Sequence, residues 1–290
     1  MTSSLFQTYY RLTKPGIIYG NSLNVAAGYF LAAGILRHFD LKILVGVLLG
    51  SALVMASGCV FNNFIDRHID DKMARTKKRA LVTGTVKPAA ALSYASALGL
   101  LGFGVLTALT NWVTVAVGIV GFVFYVVIYA IGKRKSVYGT LVGSVSGAIP
   151  PLAGYTALSG QLDGAAWILF AILVTWQMPH FYAIAIYRLK DYASAGLPVW
   201  PVKKGVNSAK GQIIAWTAAF LVVSCALTFF GYTGYIYLAV MLAISSVWLF
   251  KALQGFRTPD TDRWARKMFF FSLIVTLVTD VMLAVGALLP

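Results

Sequence analysis

The segment from Cys59 to Arg79 reads Cys-Val-Phe-Asn-Asn-Phe-Ile-Asp-Arg-His-Ile-Asp-Asp-Lys-Met-Ala-Arg-Thr-Lys-Lys-Arg and gathers three of the chain's nine acids. Asn62, Asp66 and Asp70 recur every four residues, so on a helix their side-chain oxygens project from one face. Two carboxylates one turn apart repel each other unless a cation lies between them. Oxygen-only donors of this kind suit Mg²⁺, which keeps several waters and commonly links one or two carboxylates to a substrate's phosphates. The bases that follow, Arg75, Lys77, Lys78 and Arg79, are placed to neutralise the remaining phosphate oxygens. Phe64, Ile65 and Ile69 between the polar positions favour a rigid ligand face over a solvated loop. The spacing therefore predicts a diphosphate clamp.

A second constellation is Trp176-Gln177-Met178-Pro179-His180, followed by Tyr187, Arg188, Lys190 and Asp191. Pro179 interrupts helical hydrogen bonding and frees a carbonyl. Gln177 and His180 then lie inside an apolar stretch, where polar groups are costly and are functional candidates by default. His180 shares its segment with Lys190 and Asp191 and is expected to touch a substrate. Asp280 is a further acid deep in an apolar stretch, read equally well as a partnered structural group and left outside the site.

The composition dictates what positions these residues. Of 290 residues only 11% are charged, with 24 Lys or Arg against nine acids, all Asp, and 59% are hydrophobic. A soluble domain carries about 25% charged residues. An ordinary soluble enzyme is excluded, and the chain reads as an all-α polytopic membrane protein, because backbone polar groups in lipid must be satisfied within helices. A bilayer core takes about 20 apolar residues per crossing. Nine stretches qualify: 17–36, 43–62, 88–109, 113–132, 137–157, 165–187, 211–231, 234–252 and 268–288. Gly143, Gly147, Ala148, Pro150, Pro151 and Gly154 predict that the fifth is small-faced and broken.

Between these stretches, 22 of the 24 bases fall on one side and only Arg37 and Lys42 on the other. Short basic loops stay in the cytoplasm, so the N-terminus is expected inside and the C-terminus outside, in the periplasm. The net charge of +15 is spread over membrane-flanking loops, with no module to present a groove to nucleic acid. Cys59 and Cys225 lie inside apolar stretches and read as packing residues. The N-terminal segment has no signal-peptide pattern, no short repeat appears, and residues 1–290 read as one domain.

The Asn62-x3-Asp66-x3-Asp70 pattern resembles the first Asp-rich motif of the intramembrane aromatic prenyltransferase superfamily. The resemblance is closest to its haem-farnesylating branch, through Leu12-Thr13-Lys14-Pro15-Gly16, Met73-x-Arg75-Thr76-Lys77, Lys133-Arg134, Ser136-Val-Tyr138-Gly139-Thr140, Gly147-Ala148-x-Pro150-Pro151 and Trp176 to His180. It runs from about residue 8 to 270. It implies nine helices around a central cavity open to lipid, capped by the two charged loops in a bacterial inner membrane, with the active site at the cytoplasmic face. It implies Mg²⁺ on Asn62, Asp66 and Asp70, and transfer of a farnesyl group from farnesyl diphosphate to a vinyl group of haem b. Asp66, Asp70, His180, Lys190 and Asp191 are then the catalytic candidates. Arg67, Arg75, Lys77, Lys78, Arg79, Lys133, Arg134 and Tyr187 join Asn62 as substrate-binding candidates, with Lys133, Arg134 and Lys190 serving diphosphate or haem propionates. His180 would meet the porphyrin, as an iron ligand.

The superfamily's second motif normally supplies several Asp. Here only Asp191 remains, with His180 and Tyr187 about where further acids would stand, a departure from the superfamily's second metal site. A haem-receiving oxidase or a haem A synthase would take the product. Two rival readings stay open: a prenyltransferase for another acceptor, such as a quinone precursor, and a membrane transporter. A transporter would want polar residues near the bilayer midplane, whereas most here crowd one face.

Overall fold

The structure, a computed structural model, describes residues 4–290. Its helices in chain order are α1 (Leu5–Leu12), α2 (Pro15–Leu36), α3 (Leu41–Asp70), α4 (Pro88–Leu109), α5 (Trp112–Lys135), α6 (Gly139–Ser159), α7 (Gly164–Tyr187), α8 (Leu189–Ser194), α9 (Trp200–Lys204), α10 (Val206–Phe229), α11 (Tyr235–Leu253) and α12 (Thr261–Val285). Among the described residues there is no strand. Each expected span is helical. Eight helices, α3 to α7 and α10 to α12, are long and apolar enough to cross a membrane. The remaining expected span, 17–36, lies in α2, which has 22 residues but carries Asn21 and Asn24 and does not join the eight.

Three of the nine acids are accounted for by capping. Asp40, Asp163 and Asp260 accept backbone N–H groups at the starts of α3, α7 and α12, satisfying donors that have no partner within the helix. The Asp163 carboxylate also accepts the Tyr155 hydroxyl at 2.7 Å, fixing the turn between α6 and α7.

Long-range bonds define two ends of the bundle. At one end, Arg134 in the last turn of α5 donates to the Ile65 carbonyl of α3 at 2.8 Å, and Lys210 of α10 donates to Thr261 of α12 at 2.9 Å. At the other, Asn111 donates to the Thr156 carbonyl at 2.8 Å, and the Ile236 N–H donates to the Pro290 carbonyl at 3.0 Å. The segments bearing 22 of the 24 bases gather at the first end. The basic asymmetry read from sequence is thus an asymmetry of the folded bundle.

The core centres on α7, where Leu169, Ile172 and Ile186 are buried among Phe220, Trp248 and Trp264 of α10, α11 and α12. On the other flank α2 and α6 pack backbone to backbone. A Cβ on Gly28 would lie 2.0 Å from the Pro151 carbonyl oxygen, and one on Gly154 would lie 1.9 Å from that of Val25. The small face expected of α6 is therefore used for close approach. The expected break falls at Ala148, between Gly139–Gly147 and Ile149–Ser159. Pro179, expected to disturb α7, sits inside it, and the helix continues to Tyr187. One irregularity had no signal: α5 contains a π turn, Phe124–Ile128.

Gly154→Ala is expected to destabilise the protein by about 1–3 kcal/mol, because the neighbouring backbone has nowhere to move. Gly104→Ala, at a position with nothing within 4 Å of the added carbon, should leave stability unchanged or raise it by up to about 1 kcal/mol. Thermal unfolding in detergent measures both, and equal midpoints would count against the backbone contact.

Candidate active site

Helix α3 runs past its apolar stretch to Asp70, with no Gly or Pro from Cys59 onward to stop it. Arg67 and His68 in its last turn complement the negative end of the helix dipole. Asn62, Asp66 and Asp70 consequently share one face, as the spacing predicted, and are 5%, 8% and 3% exposed. Buried carboxylates are tolerated only when paired, and each is. Lys133 Nζ donates to Asp66 Oδ2, Arg134 Nη2 donates to Asp66 Oδ1 at 3.1 Å, and Arg79 Nη1 donates to Asp70 Oδ2. Lys14 Nζ donates to Asn62 Oδ1 at 2.8 Å. The cation that the like-charge spacing demanded is thus supplied three times over by the protein, from α5 and from the loop after α3, and Lys14 from the start of α2 adds a fourth on the neighbouring Asn62.

Lys14 is positioned at a cost. Its backbone is left-handed, φ 56° and ψ 62°, immediately before Pro15, a conformation L-residues rarely adopt. That turn carries the ammonium from the start of α2 onto α3. Burial pushes the Lys14 ammonium down to about 8, and the Arg79 and Lys133 charges push the same way against the pull of Asp66.

Among the described residues no group of three or more His, Cys, Asp or Glu comes together. A divalent cation on this face would be held by two carboxylates and the Asn62 amide oxygen. That all-oxygen set fits Mg²⁺. Asn62 Nδ2 is buried without a hydrogen-bond partner, so this amide is not committed to a structural network on both of its ends. Beside Asp66, Tyr125 within the π turn and Tyr129 just after it stack at 6.1 Å, and Lys133 Nζ lies 4.9 Å above the Tyr129 ring.

The two charged loops meet. Met73 from the first is buried with Ala195 and Leu197 from the second, flanked by Ile69, Tyr192 and Val199, and Ser194 donates to the Lys72 carbonyl at 3.4 Å. Burial raises the Tyr192 phenol, while the nearby Arg75 charge pulls it back down.

The other sequence candidates sort by geometry. Arg75, Lys78 and Arg79 line a cavity of about 320 Å³ at the basic end. Lys77 is exposed and lies outside that lining. Arg67, expected to bind substrate, instead donates to the Phe64 carbonyl at 2.8 Å and lies over the Phe64 ring. One residue along a helix from Asp66, it turns about 100° away from the acidic face. Lys190 is exposed, and Asp191 pairs with Arg188 on its own loop at 3.8 Å, so the second loop's carboxylate is engaged locally. Tyr187 packs against Phe269 with the Arg188 and Arg266 guanidiniums over its ring. Gln177 donates to the Leu173 and Ser144 carbonyls and fills the space left by the missing side chain of Gly147, a packing role. Asp280 is buried in α12, with Oδ1 unpartnered.

His180 is held by a chain of hydrogen bonds. Ser272 Oγ donates to the Phe269 carbonyl at 2.5 Å, so it must accept at its 2.7 Å contact with His180 Nδ1. The proton therefore resides on Nδ1, and Nε2 carries the lone pair. Trp176 stacks on the imidazole at 4.9 Å and donates to the Ser272 carbonyl at 2.8 Å. A histidine oriented through Nδ1–H with Nε2 left as a donor atom is arranged as metal-ligating histidines are.

Sequence reasoning missed Lys14, Tyr129 and Ser272 as site residues. Tyr129 had a signal, its i, i+4 spacing from Lys133. Lys14 was marked only as part of a motif, and Ser272, 92 residues from His180, had no local signal.

The profile of the UbiA prenyltransferase family matches residues 22–274. A protoheme IX farnesyltransferase of Klebsiella pneumoniae subsp. pneumoniae is 49% identical over 287 residues, covering 99% of this chain and 97% of its own. One of Escherichia coli K12 is 48% identical over 287 residues, covering 99% and 96%. Among solved structures, a digeranylgeranylglyceryl phosphate synthase superposes with TM-score 0.79 at 19% identity, over 97% of this chain and 98% of that one. A UbiA homologue from Archaeoglobus fulgidus bound to DMAPP and Mg²⁺ superposes with TM-score 0.67 at 16% identity, over 96% and 99%. With a family match over most of its length and near-full-length relatives at close to half identity, this chain belongs to the UbiA prenyltransferase family.

Proposed function

We propose that the chain transfers a farnesyl group from farnesyl diphosphate to a vinyl group of haem b, with addition of water, giving haem O and diphosphate. The observation that carries this reading is the buried face of α3, on which Asn62 Oδ1, both carboxylate oxygens of Asp66 and Asp70 Oδ2 are each met by a Lys or Arg from another segment. The protoheme IX farnesyltransferases to which the chain is similar support the choice of haem and of the farnesyl donor.

Mg²⁺ held by Asn62, Asp66 and Asp70 would supply positive charge to the leaving diphosphate. Lys14, Arg79, Lys133 and Arg134 lie within reach of the same position and turn from the carboxylates to the phosphate oxygens as substrate arrives. When the carbon–oxygen bond of the allylic diphosphate breaks, its electron pair leaves with the diphosphate. The new charge then develops among cations already in place, which lowers the barrier without reorganising solvent. The Tyr125–Tyr129 stack offers aromatic faces to the allylic cation. The vinyl π electrons then close the new carbon–carbon bond, and water adds to the cation left on the porphyrin side with loss of a proton.

On the acceptor side, His180 Nε2 faces the iron, Trp176, Tyr187 and Phe269 supply apolar walls, and Arg188 and Arg266 above Tyr187 meet the propionates. Lys190 and Asp191 close this side as part of the docked second loop. Counting α2, the chain crosses the membrane nine times around a central cavity. Asn24 of α2 is buried in the protein, which lets a polar helix span. The basic end lies at the cytoplasmic face of a bacterial inner membrane, with the N-terminus inside and the C-terminus in the periplasm. Haem O then passes to a haem-receiving oxidase or a haem A synthase.

Asp66→Asn and Asp70→Asn are each expected to lower farnesyl transfer about a hundredfold or more while the protein still inserts. Formation of farnesylated haem, followed by mass analysis at limiting Mg²⁺, is the readout, and full activity in both variants would remove the clamp. Ser272→Ala should weaken haem affinity about tenfold by releasing the imidazole tautomer, and His180→Ala more, with a changed Soret band in each. Neither should alter binding of a non-hydrolysable farnesyl diphosphate analogue. Orientation is tested with Lys77→Cys and Gln161→Cys, both at exposed positions in a chain whose native cysteines are buried. An impermeant thiol reagent should reach Gln161→Cys from the periplasm and Lys77→Cys only from the cytoplasm.

A further inference from the structure

The cavity of about 320 Å³ at the basic end is lined by Arg11, Lys14, Arg75, Lys78 and Arg79, and among the described residues no acid lines it. Five bases around one opening repel each other, and among the described residues the only oxygens that the Lys14 and Arg79 side chains engage, those of Asn62 and Asp70, belong to the α3 face. Asn63, next in sequence to Asn62, is buried in the cavity wall, where its Nδ2 donates to the Leu12 carbonyl at 2.8 Å and holds the end of α1 against α3. Neighbouring positions on one helix thus serve two compartments, with Asn62 on the acidic face and Asn63 on the basic cavity. Lys14 and Arg79 stand between them and belong to both. Thr83 and Thr85 add hydroxyl groups to the far wall. Unlike the α3 face, this cavity has no carboxylate to hold a metal, so it selects a bare anion rather than a metal–anion complex.

We propose that this cavity is a second anion site, which takes inorganic diphosphate without Mg²⁺ after it leaves the α3 face. The inference rests on the prenyl-diphosphate reading above and names where the leaving group goes. A diphosphate carried by Lys14 and Arg79 can shift from one compartment to the other without losing these two partners. The cavity's remaining bases, Arg11, Arg75 and Lys78, then draw it away from the carbocation, whose recapture would reverse the ionisation. The path is short, because the same two side chains form both walls.

The test uses the full chain in nanodiscs of phosphatidylcholine and the variant Arg11→Gln, at an exposed residue of the cavity that touches no group on the α3 face in this structure. Inorganic diphosphate should bind the wild type in the absence of Mg²⁺. It should still bind when a non-hydrolysable farnesyl diphosphate analogue and Mg²⁺ are saturating. Arg11→Gln should weaken diphosphate binding fivefold or more and raise the product-inhibition constant to match, while affinity for the analogue and the thermal midpoint stay unchanged. Complete displacement of diphosphate by the analogue, or equal losses of both affinities in Arg11→Gln, would mean a single anion site and overturn the proposal. Displacement of diphosphate when phosphatidylglycerol replaces phosphatidylcholine would assign the cavity to a lipid headgroup and overturn it as well. Failure of the wild type to bind the analogue at all would instead strike the prenyltransferase reading, a separate outcome.

Discussion

A carboxylate at the edge of a bilayer has too little water to solvate it, and it persists only if a cation is brought to it. Asp66 and Asp70 impose that constraint on the rest of the molecule. Satisfying them draws Lys133 and Arg134 at the end of α5 and Arg79 from the loop after α3 onto one helix face, and Asn62 beside them draws Lys14 from the start of α2. These segments are far apart in sequence, and the ion pairs fix their relative positions at one end of the bundle. Under the proposed function the stabilising arrangement is also the reactive one. A set of cations held close together by carboxylates is prepared to receive any ligand that offers more negative charge than the carboxylates do.

Much of this was legible in the chain before it was folded. The recurrence of Asn62, Asp66 and Asp70 fixed their common face once the helix was taken to run through them, and the distribution of bases fixed which segments gather at one end. What escaped shares a physical character. Lys14 reaches Asn62 across 48 residues through a left-handed backbone turn, which no periodicity encodes. Ser272 matters only because its own hydroxyl is spent on the Phe269 carbonyl, a detail of hydrogen-bond direction. Arg67 shows the opposite case: adjacent to Asp66 in sequence, it turns away from the acidic face on the helix and donates to the Phe64 carbonyl. Asp191 illustrates local competition: an arginine three residues away reaches it.

The two charged loops differ in how they are held. The first is tied to α3 by the Arg79–Asp70 ion pair, the second to the first by the small apolar cluster of Met73, Ala195 and Leu197. Ionic contacts respond to a charged ligand, whereas an apolar contact does not. Binding at the acidic face can therefore rearrange side chains beneath the docked loops without separating them. His180, by contrast, is fixed between α7 and α12 by neutral hydrogen bonds and aromatic packing, away from the charges of the first loop.

The π turn in α5 gives the site a dependence on chain phase. Each residue rotates a helix by about 100°, and the turn at Phe124–Ile128 sets the angular position of everything after it, Lys133 and Arg134 included. Loss of one residue from the regular part of α5, where no π turn absorbs the change, would swing both cations round the axis together by about 100° and carry them away from Asp66. Insertions and deletions in this stretch are thus a double mutation of the ion-pair network in disguise. Selection would act on the number of residues between Trp112 and Lys133 as strongly as on which residues they are.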